Sequence, residues 1–314
     1  MLRKALLWLS RQQRVFRFVR RNRLARHLAS RFVAGETADE AVAAAAALQG
    51  NGITASLDVL GESVAQAAEA EAACAEYLAL IDRMAAAGVE VNVSVKLTQM
   101  GQDIDEALCE RNMRRILDRA RAIGGFVRLD MESSAYTQRT LDFFEQRLWP
   151  EYGRHVGVVI QSALRRSGAD VEHLIALGAR VRLCKGAYLE PPDVAFPDKG
   201  DVDAHYVRLM KRLLQAGHYP GLATHDETII NHARTFVAQQ GIAADRFEFQ
   251  MLYGVRRDLQ ERLRAGGFNM RVYVPFGTQW YPYLMRRLAE RPANIAFILG
   301  GITKEALSRR STPN

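Results

Sequence analysis

The sequence predicts an α/β protein built as a (βα)8 barrel, similar to a TIM barrel. Eight short runs of apolar and β-branched residues alternate with eight longer stretches of helical period, the pattern of parallel strands joined by crossover helices. The eight units span residues 53–289, close to the roughly 250 residues that such a barrel uses. A doubly wound sheet is the alternative. It usually carries a glycine-rich phosphate loop, and the sequence has neither GxGxxG nor a Walker A motif.

The alternation locates each element in order along the chain. The predicted strands are 53–59, 91–97, 126–131, 156–161, 181–185, 222–225, 247–252 and 270–274. The predicted helices are 63–87, 105–123, 136–149, 163–177, 202–216, 228–240, 256–265 and 280–289. Several helices end just before a glycine that precedes the next strand, and glycine is the common residue past a helix C-terminus. These glycines are Gly88, Gly124, Gly178, Gly217 and Gly266.

The composition is that of an ordinary globular protein. The chain has 314 residues, of which 48% are hydrophobic and 25% charged, so disordered and low-complexity classes are excluded. Three scattered cysteines, Cys74, Cys109 and Cys184, are too few for a disulfide framework or a cysteine-rich zinc site. We therefore expect a reduced, intracellular protein. The seven histidines form no HxH or HExxH pair, so we expect no metal.

The basic charge is concentrated in one segment. Residues 1–35 hold ten basic residues and no acidic one, which leaves the rest of the chain close to neutral although the whole carries +8. This distribution argues against a nucleic-acid groove in the main domain. Apolar residues recur at helical spacing among the arginines, so residues 1–45 are predicted to be an amphipathic helical arm. The arm suits docking on an anionic membrane surface or packing on the barrel, and a transit peptide would look similar.

Polar residues follow the predicted strands, where a barrel has its active site. Charged groups in otherwise apolar strands are unfavourable unless they are paired or functional. The strand-end residues are Asp58 and Glu62, Lys96, Asp130 and Glu132, Gln161, Arg182 and Lys185, Thr224 and His225, Gln250, and Arg271 and Tyr273. So many at one end of a barrel indicate a substrate or cofactor site.

The last predicted helix adds a second cluster. Tyr283, Arg286, Arg287 and Glu290 stand at i, i+3, i+4 and i+7, which places them on one helix face. Two adjacent guanidiniums there favour binding of a carboxylate or phosphate, although a solvated basic face has the same spacing.

Several motifs resemble the proline dehydrogenase family, in its short single-function bacterial form. They cover roughly residues 45–295, and the RLxKGAY and YLxRRLxE patterns are the specific ones. The matching segments are DVLGE at 58–62, VSVKL at 93–97, LDME at 129–132, VIQ at 159–161, VRLCKGAY at 181–188, ATH at 223–225, QMLYG at 250–254, RVYVPFG at 271–277 and YLMRRLAERPAN at 283–294.

The resemblance implies a distorted (βα)8 barrel that binds FAD non-covalently at the strand C-termini. It implies oxidation of L-proline to Δ1-pyrroline-5-carboxylate, with hydride transfer from proline C5 to flavin N5 and electrons passed to a membrane quinone. We therefore expect a cytoplasmic protein held peripherally at the inner face of the membrane by the basic arm. The implied division is an arm at 1–45, a barrel at 46–295 and a C-terminal segment at 296–314.

The resemblance also implies a role for each matching residue. Lys96, Arg286 and Arg287 would bind the proline carboxylate, and Glu62 would pair with Arg286 as a gate. Asp130 would order Lys96, and Arg182 would lie beside the flavin ring. The residues around the proline ring would be Tyr273, Tyr283, Tyr188 and Leu252. Those that contact FAD would be Met131, Gln161, Arg182, Lys185, Gly186, Ala187, Thr224, His225 and Glu290. A tyrosine at position 273 favours proline over hydroxyproline.

A Schiff-base aldolase barrel is the competing interpretation. Lys96 or Lys185 would be its nucleophilic amine, and Arg286 and Arg287 would then bind a phosphorylated or carboxylated substrate. This interpretation leaves RLxKGAY unexplained.

Overall fold

The computed structural model describes residues 30–61 and 63–290, without the side chains of residues 286–290. Eight parallel strands form a closed barrel in chain order, which confirms the predicted fold class. The strands are β1 (Thr54–Val59), β2 (Asn92–Val95), β3 (Phe126–Leu129), β4 (Val156–Gln161), β5 (Arg180–Cys184), β6 (Gly221–Ala223), β7 (Glu248–Leu252) and β8 (Asn269–Phe276). Pairing of β1 with β8, Thr54 opposite Arg271, closes the ring.

Ten α-helices lie in the described part of the chain. They are α1 (Ala38–Gly50), α2 (Ala67–Ala86), α3 (Glu106–Ala122), α4 (Ser134–Phe143), α5 (Trp149–Tyr152), α6 (Ser167–Leu177), α7 (Lys199–Ala216), α8 (Glu227–Gln240), α9 (Arg257–Ala265) and α10 (Trp280–Glu290). None of the helices described within 30–290 is long and apolar enough to cross a bilayer. The buried faces of the helices and the outer faces of the strands form one hydrophobic core.

The predicted helix at 136–149 is interrupted in the structure. Helix α4 ends at Phe143, a π-helical turn spans Phe144–Leu148, and α5 begins at Trp149. Pro150 explains the interruption, because proline has no N–H to continue the hydrogen-bond ladder and is tolerated only in the first turn of a helix.

Helix α1 precedes the barrel and covers its outside where β8 meets β1. Thr37 and Glu40 form a capping box at its start, with Glu40 N donating to Thr37 Oγ1 and Thr37 N donating to Glu40 Oε2. Just before the helix, Ala34 N donates to Pro275 O, which ties this segment to the end of β8. In a regular (βα)8 barrel, the helix that follows β8 would cover this part of the outside. Here α1, which precedes β1, covers it, so the barrel is irregular at this point.

The two predicted domain boundaries lie near or beyond the ends of the described part of the chain. The boundary between residues 45 and 46 falls within α1, and the division stays a prediction. The arm up to residue 29 and the segment 296–314 lie outside the described residues.

Candidate active site at the mouth of the barrel

Polar side chains occupy the interior of the barrel as well as its mouth, by which we mean the end where the strands have their C-termini. Side chains two positions apart on a strand point to the same face. Such pairs are Ser56 and Asp58, Ser94 and Lys96, Arg128 and Asp130, Arg180 and Arg182, Glu248 and Gln250, and Arg271 and Tyr273. Hydrogen bonds between non-adjacent strands show that several of them meet across the lumen.

Arg182, on β5, is the centre of the network at the mouth. Its guanidinium donates to Asp130 Oδ1 at 2.7 Å and to Ser94 Oγ at 3.1 Å, and its Nε donates to Gln250 Oε1. Its Cζ lies 5.2 Å from the centroid of the Tyr273 ring. A planar guanidinium bonded on several edges has little freedom, so its positive charge is fixed in the site.

Asp130, directly after β3, has a partner on each carboxylate oxygen. Oδ1 accepts from Arg182, and Oδ2 accepts from the Tyr273 hydroxyl at 2.7 Å. Burial, and then the charge of Asp130, raise the pKa of Tyr273 well above its ordinary value, so the phenol keeps its proton as a donor. The resemblance implies that Asp130 orders Lys96. In the structure Lys96 Nζ lies 4.0 Å from Asp130 Oδ2, at the limit of an ion pair.

Asp58, at the end of β1, is the closest carboxylate to Lys96 among the described residues. Lys96 Nζ donates to Asp58 Oδ1 at 2.9 Å, and the Asp58 side chain is only 1% exposed. Burial raises the pKa of Asp58, and the charge of Lys96 opposes that rise. The ionised form of Asp58 therefore depends on the lysine beside it.

Lys185 follows β5 and is paired with two carboxylates. Its Nζ forms ion pairs with Asp203 and with Asp226, at 2.9 Å from Asp226 Oδ2. Burial alone would raise the pKa of Asp226. The hydrogen bond and charge of Lys185 outweigh this effect, so the pKa lies below its ordinary value. The charge of Lys185 is thus balanced within the protein.

Gly186 leaves bare backbone next to Gln161. Its φ is 102°, a conformation that strains other residues, and a Cβ there would lie 3.0 Å from Gln161 Oε1. Gln161 Nε2 donates to Met131 O at 3.3 Å and to Glu132 O at 2.8 Å, which fixes the orientation of its amide. The residues predicted after β3, β4 and β5 therefore meet on one side of the mouth.

His225 and Leu252 meet on the other side. Leu252 N donates to His225 Nε2 at 2.9 Å, which assigns the imidazole proton to Nδ1 in the neutral ring. Thr224 is buried and its N–H donates to Gln250 O, so β6 and β7 continue to pair at this point.

The other predicted site residues are placed less completely. Ala187 and Tyr188 are half-buried in the loop after β5, and Tyr283 is buried in α10. Arg286, Arg287 and Glu290 lie on α10, with side chains outside the described part of the chain. Glu62 also lies outside it.

The set of site residues implied by the resemblance missed Asp58, Ser94 and Gln250 as members of the network. The period of two was available in the sequence, because each stands two positions from another polar residue on its own strand. That signal shows which residues face the lumen, but it does not show which of them form pairs.

Comparisons with known proteins identify the family. The family model described as proline dehydrogenase matches residues 41–299. The chain belongs to the proline dehydrogenase family. A proline dehydrogenase of Deinococcus radiodurans is 45% identical over 306 residues, which are 96% of this chain and 98% of the relative. Proline dehydrogenase 1 of Bacillus subtilis strain 168 is 41% identical over 307 residues, which are 97% of this chain and 100% of the relative.

A solved structure in this family has the same fold. Proline utilization A (PutA) from Bdellovibrio bacteriovorus, inactivated by N-propargylglycine, superposes with a TM-score of 0.79 at 27% identity. The match covers 90% of this chain and 34% of that much longer chain. Family membership makes this chain an enzyme of proline oxidation, the first step of proline catabolism, and implies that it is flavin-dependent.

The mouth fits a flavin nucleotide on two observations. The exposed, positive-φ backbone at Gly186 lets a ligand approach the strand end closely. Arg182 and Lys185 are cations of the kind that hold phosphates and polarise a flavin. Because Lys185 already has Asp203 and Asp226 as partners, a phosphate beside it would share the ammonium with them.

Proposed function

We propose that this chain binds FAD non-covalently at the mouth of the barrel and oxidises L-proline to Δ1-pyrroline-5-carboxylate, with a membrane quinone as the electron acceptor. The observation that carries the proposal is the joined set of Lys96, Asp130, Arg182 and Tyr273. All four are motif positions of the proline dehydrogenase family, and contacts connect them from four different strand ends. A small zwitterion with an apolar ring requires such a mixture of cations and aromatic walls.

The substrate is held at both of its ends in this proposal. Lys96, with Arg286 and Arg287 from α10, binds the carboxylate, and Glu62 pairs with Arg286 as a gate. The proline ring lies among Tyr273, Tyr283, Tyr188 and Leu252. The Tyr273 hydroxyl keeps its proton and donates a hydrogen bond to Asp130, so the phenol ring has one orientation beside the substrate.

The cofactor is held by the residues around Gly186 and His225. When bound, FAD would supply at N5 the acceptor for the hydride from proline C5, and the proton of the proline nitrogen would pass to solvent. The other proposed contacts are Met131, Gln161, Arg182, Lys185, Ala187, Thr224 and Glu290. Arg182 would place a permanent positive charge beside the bound ring, where it would stabilise negative charge gained on reduction. Its fixed partners mean that this charge needs no reorganisation during the reaction.

The first test is an absorption spectrum of the purified protein, recorded without oxygen before and after addition of L-proline. We expect a yellow protein with a flavin band near about 450 nm that bleaches with proline. A yellow protein that bleaches only with hydroxyproline would overturn the assignment of L-proline as the substrate. A protein that stays colourless after incubation with FAD would overturn the cofactor, and borohydride trapping of Lys96 or Lys185 would then test the aldolase interpretation.

The Arg287→Ala variant tests how the carboxylate is bound. Removal of a charge-assisted hydrogen bond worth about 1.5–3 kcal/mol should raise the KM for proline by about 10- to 150-fold, while FAD stays bound. Arg257→Ala, on the outer helix α9, is the matched control and should leave KM unchanged. An unchanged KM in Arg287→Ala would contradict the assignment.

We propose further that the basic arm attaches the enzyme peripherally to the inner face of the cytoplasmic membrane. Ten cations without an acid are attracted to anionic headgroups at about 1 kcal/mol each near the surface. Deletion of residues 1–29 keeps Ala34 and Gly35, which bond to the end of β8. The deletion removes nine of the ten cations, so it should weaken binding to anionic liposomes and preserve activity with a soluble dye acceptor. Equal liposome binding by the shortened chain would contradict the proposal.

A further inference from the structure

Lys96 stands between two carboxylates that differ in their other contacts. Asp130 is 4.0 Å away, and its two oxygens already accept from Arg182 and Tyr273. Asp58 is 2.9 Å away and almost fully buried. The lysine is therefore held by the buried carboxylate rather than by the one that borders the site.

The strand register shows where Asp58 lies relative to the mouth. Asp58 is paired with Ser94, and Lys96 is two residues further along the chain toward the strand's C-terminal end. Since a layer of the lumen corresponds to two residues, Asp58 lies one layer below Lys96. Its 1% exposure leaves no surface for a substrate, so any effect on proline must pass through a neighbour.

A lysine ammonium needs such a partner to have a defined position. Its four-carbon stem is flexible, and its point charge has none of the built-in geometry of a guanidinium. Without Asp58, the nearest remaining anion of the described residues is Asp130, and the ammonium would close the 4.0 Å gap to it. Lys96 would then leave the substrate and compete with Arg182 and Tyr273.

We propose that Asp58 is a positioning residue for substrate binding: it anchors the Lys96 ammonium from below and keeps it available to the proline carboxylate. The proposal rests on the proposed function, because it assumes that Lys96 binds proline. It predicts that Asp58 affects KM more than kcat, and only while Lys96 is present.

A double-mutant cycle in the full-length holoenzyme tests the proposal. The variants are Asp58→Asn, Lys96→Met and both together, with Asp82→Asn as a control whose carboxylate pairs with Arg119 on the surface. Asp58→Asn should raise the KM for proline about tenfold with kcat changed less than twofold. In the Lys96→Met background the same substitution should change KM less than twofold.

The cycle separates this inference from the proposed function. If Asp58→Asn raises KM equally in both backgrounds, Asp58 does not act through Lys96 and the inference is overturned, while proline binding by Lys96 stands. If Lys96→Met alone leaves KM unchanged, the inference and the carboxylate contact of Lys96 are both wrong. The spectral test with proline decides the enzymatic reaction independently of either outcome.

The pH dependence of KM provides a readout that a purely structural role would not move. Because only the ionised carboxylate holds the ammonium, the wild-type KM should rise as the pH falls toward the raised pKa of Asp58, and Asp58→Asn should lack this rise. Asp58→Glu keeps the charge and should keep the wild-type pH profile with an intermediate KM. If Asp58→Asn does not fold, Asp58→Glu alone decides, and an unchanged KM in it overturns the inference.

Discussion

The two ends of the barrel interior hold similar arginine–carboxylate pairs in different surroundings. At the mouth, Arg182 donates to Asp130 at 2.7 Å. At the opposite end, which we call the floor, Arg271 donates to Glu248 at 2.9 Å. Gln250 connects the two, because it accepts from Arg182 Nε and donates to Glu248 Oε1. The carboxylate side chain is 13% exposed at the mouth and 3% exposed at the floor.

The difference shows that position in the barrel decides what such a pair can do. Glu248 accepts from Arg271, Gln250 and Tyr219, so its lone pairs are used within the protein. Asp130 retains access to the mouth, and Lys96 beside it is 13% exposed. The pair at the floor therefore contributes to folding, and the pair at the mouth is available for substrate and cofactor.

Breaking the pair at the floor should have the largest effect on stability. Glu248→Leu leaves the Arg271 guanidinium buried without its main partner, which should lower the free energy of unfolding by about 3–5 kcal/mol. Adding Arg271→Met should restore much of that loss. Thermal unfolding of the flavin-bound protein measures the stability of the single and the double variant.

Asp130→Asn, at the mouth, should reduce kcat/KM by at least about tenfold and should lower the free energy of unfolding less than Glu248→Leu does. Equal destabilisation by these two single variants would contradict the comparison between mouth and floor.

Acid should affect the two ends in opposite directions. Burial would raise the pKa of Glu248, but the charge and hydrogen bonds of Arg271 outweigh it, and the pKa is below the ordinary 4.5. Its contribution to stability is thus present above pH 4.5 and is lost as the pH falls through the folded-state pKa. The pKa of Asp58 is raised above 3.8, chiefly by burial, so its contribution is present below that pH and is lost as the pH rises.

Urea unfolding between pH 3 and 6 checks these signs. The stability deficit of Glu248→Gln should shrink below pH 4.5, by at most about 1.4 kcal/mol per pH unit. The stability of Asp58→Asn relative to the wild type should increase as the pH rises above 3.8. Parallel curves for the two variants would contradict the assigned directions.

The sequence was sufficient for the barrel and for most residues of the mouth, but not for the pairing within it. Periodicity located all eight strands to within a few residues, because alternation with helices is a local property. The choice of Lys96 between Asp58 and Asp130 depends on the register of β1, β2 and β3, which is a tertiary property. The double pairing of Lys185 depends likewise on α7 bringing Asp203 to the strand end. Two further local signals are not used in the predicted elements: the Thr37 and Glu40 capping box that begins α1, and Pro150 after the π-helical turn.

The smallest predicted effect comes from removing one tyrosine hydroxyl at the mouth, and the matched change at the floor serves as its comparison. Tyr273→Phe removes the 2.7 Å donor to Asp130 and keeps the ring beside Arg182. Because Asp130 is partly exposed, water can replace the hydroxyl, and we expect a loss of about 0.5–1.5 kcal/mol, or about two- to thirteenfold in kcat/KM. Tyr219→Phe removes a 3.4 Å donor to Glu248 at the floor and should leave kcat/KM unchanged. Equal kinetic losses in the two variants would show that the floor is coupled to the reaction through Gln250, and the division of roles between the two ends would then be wrong.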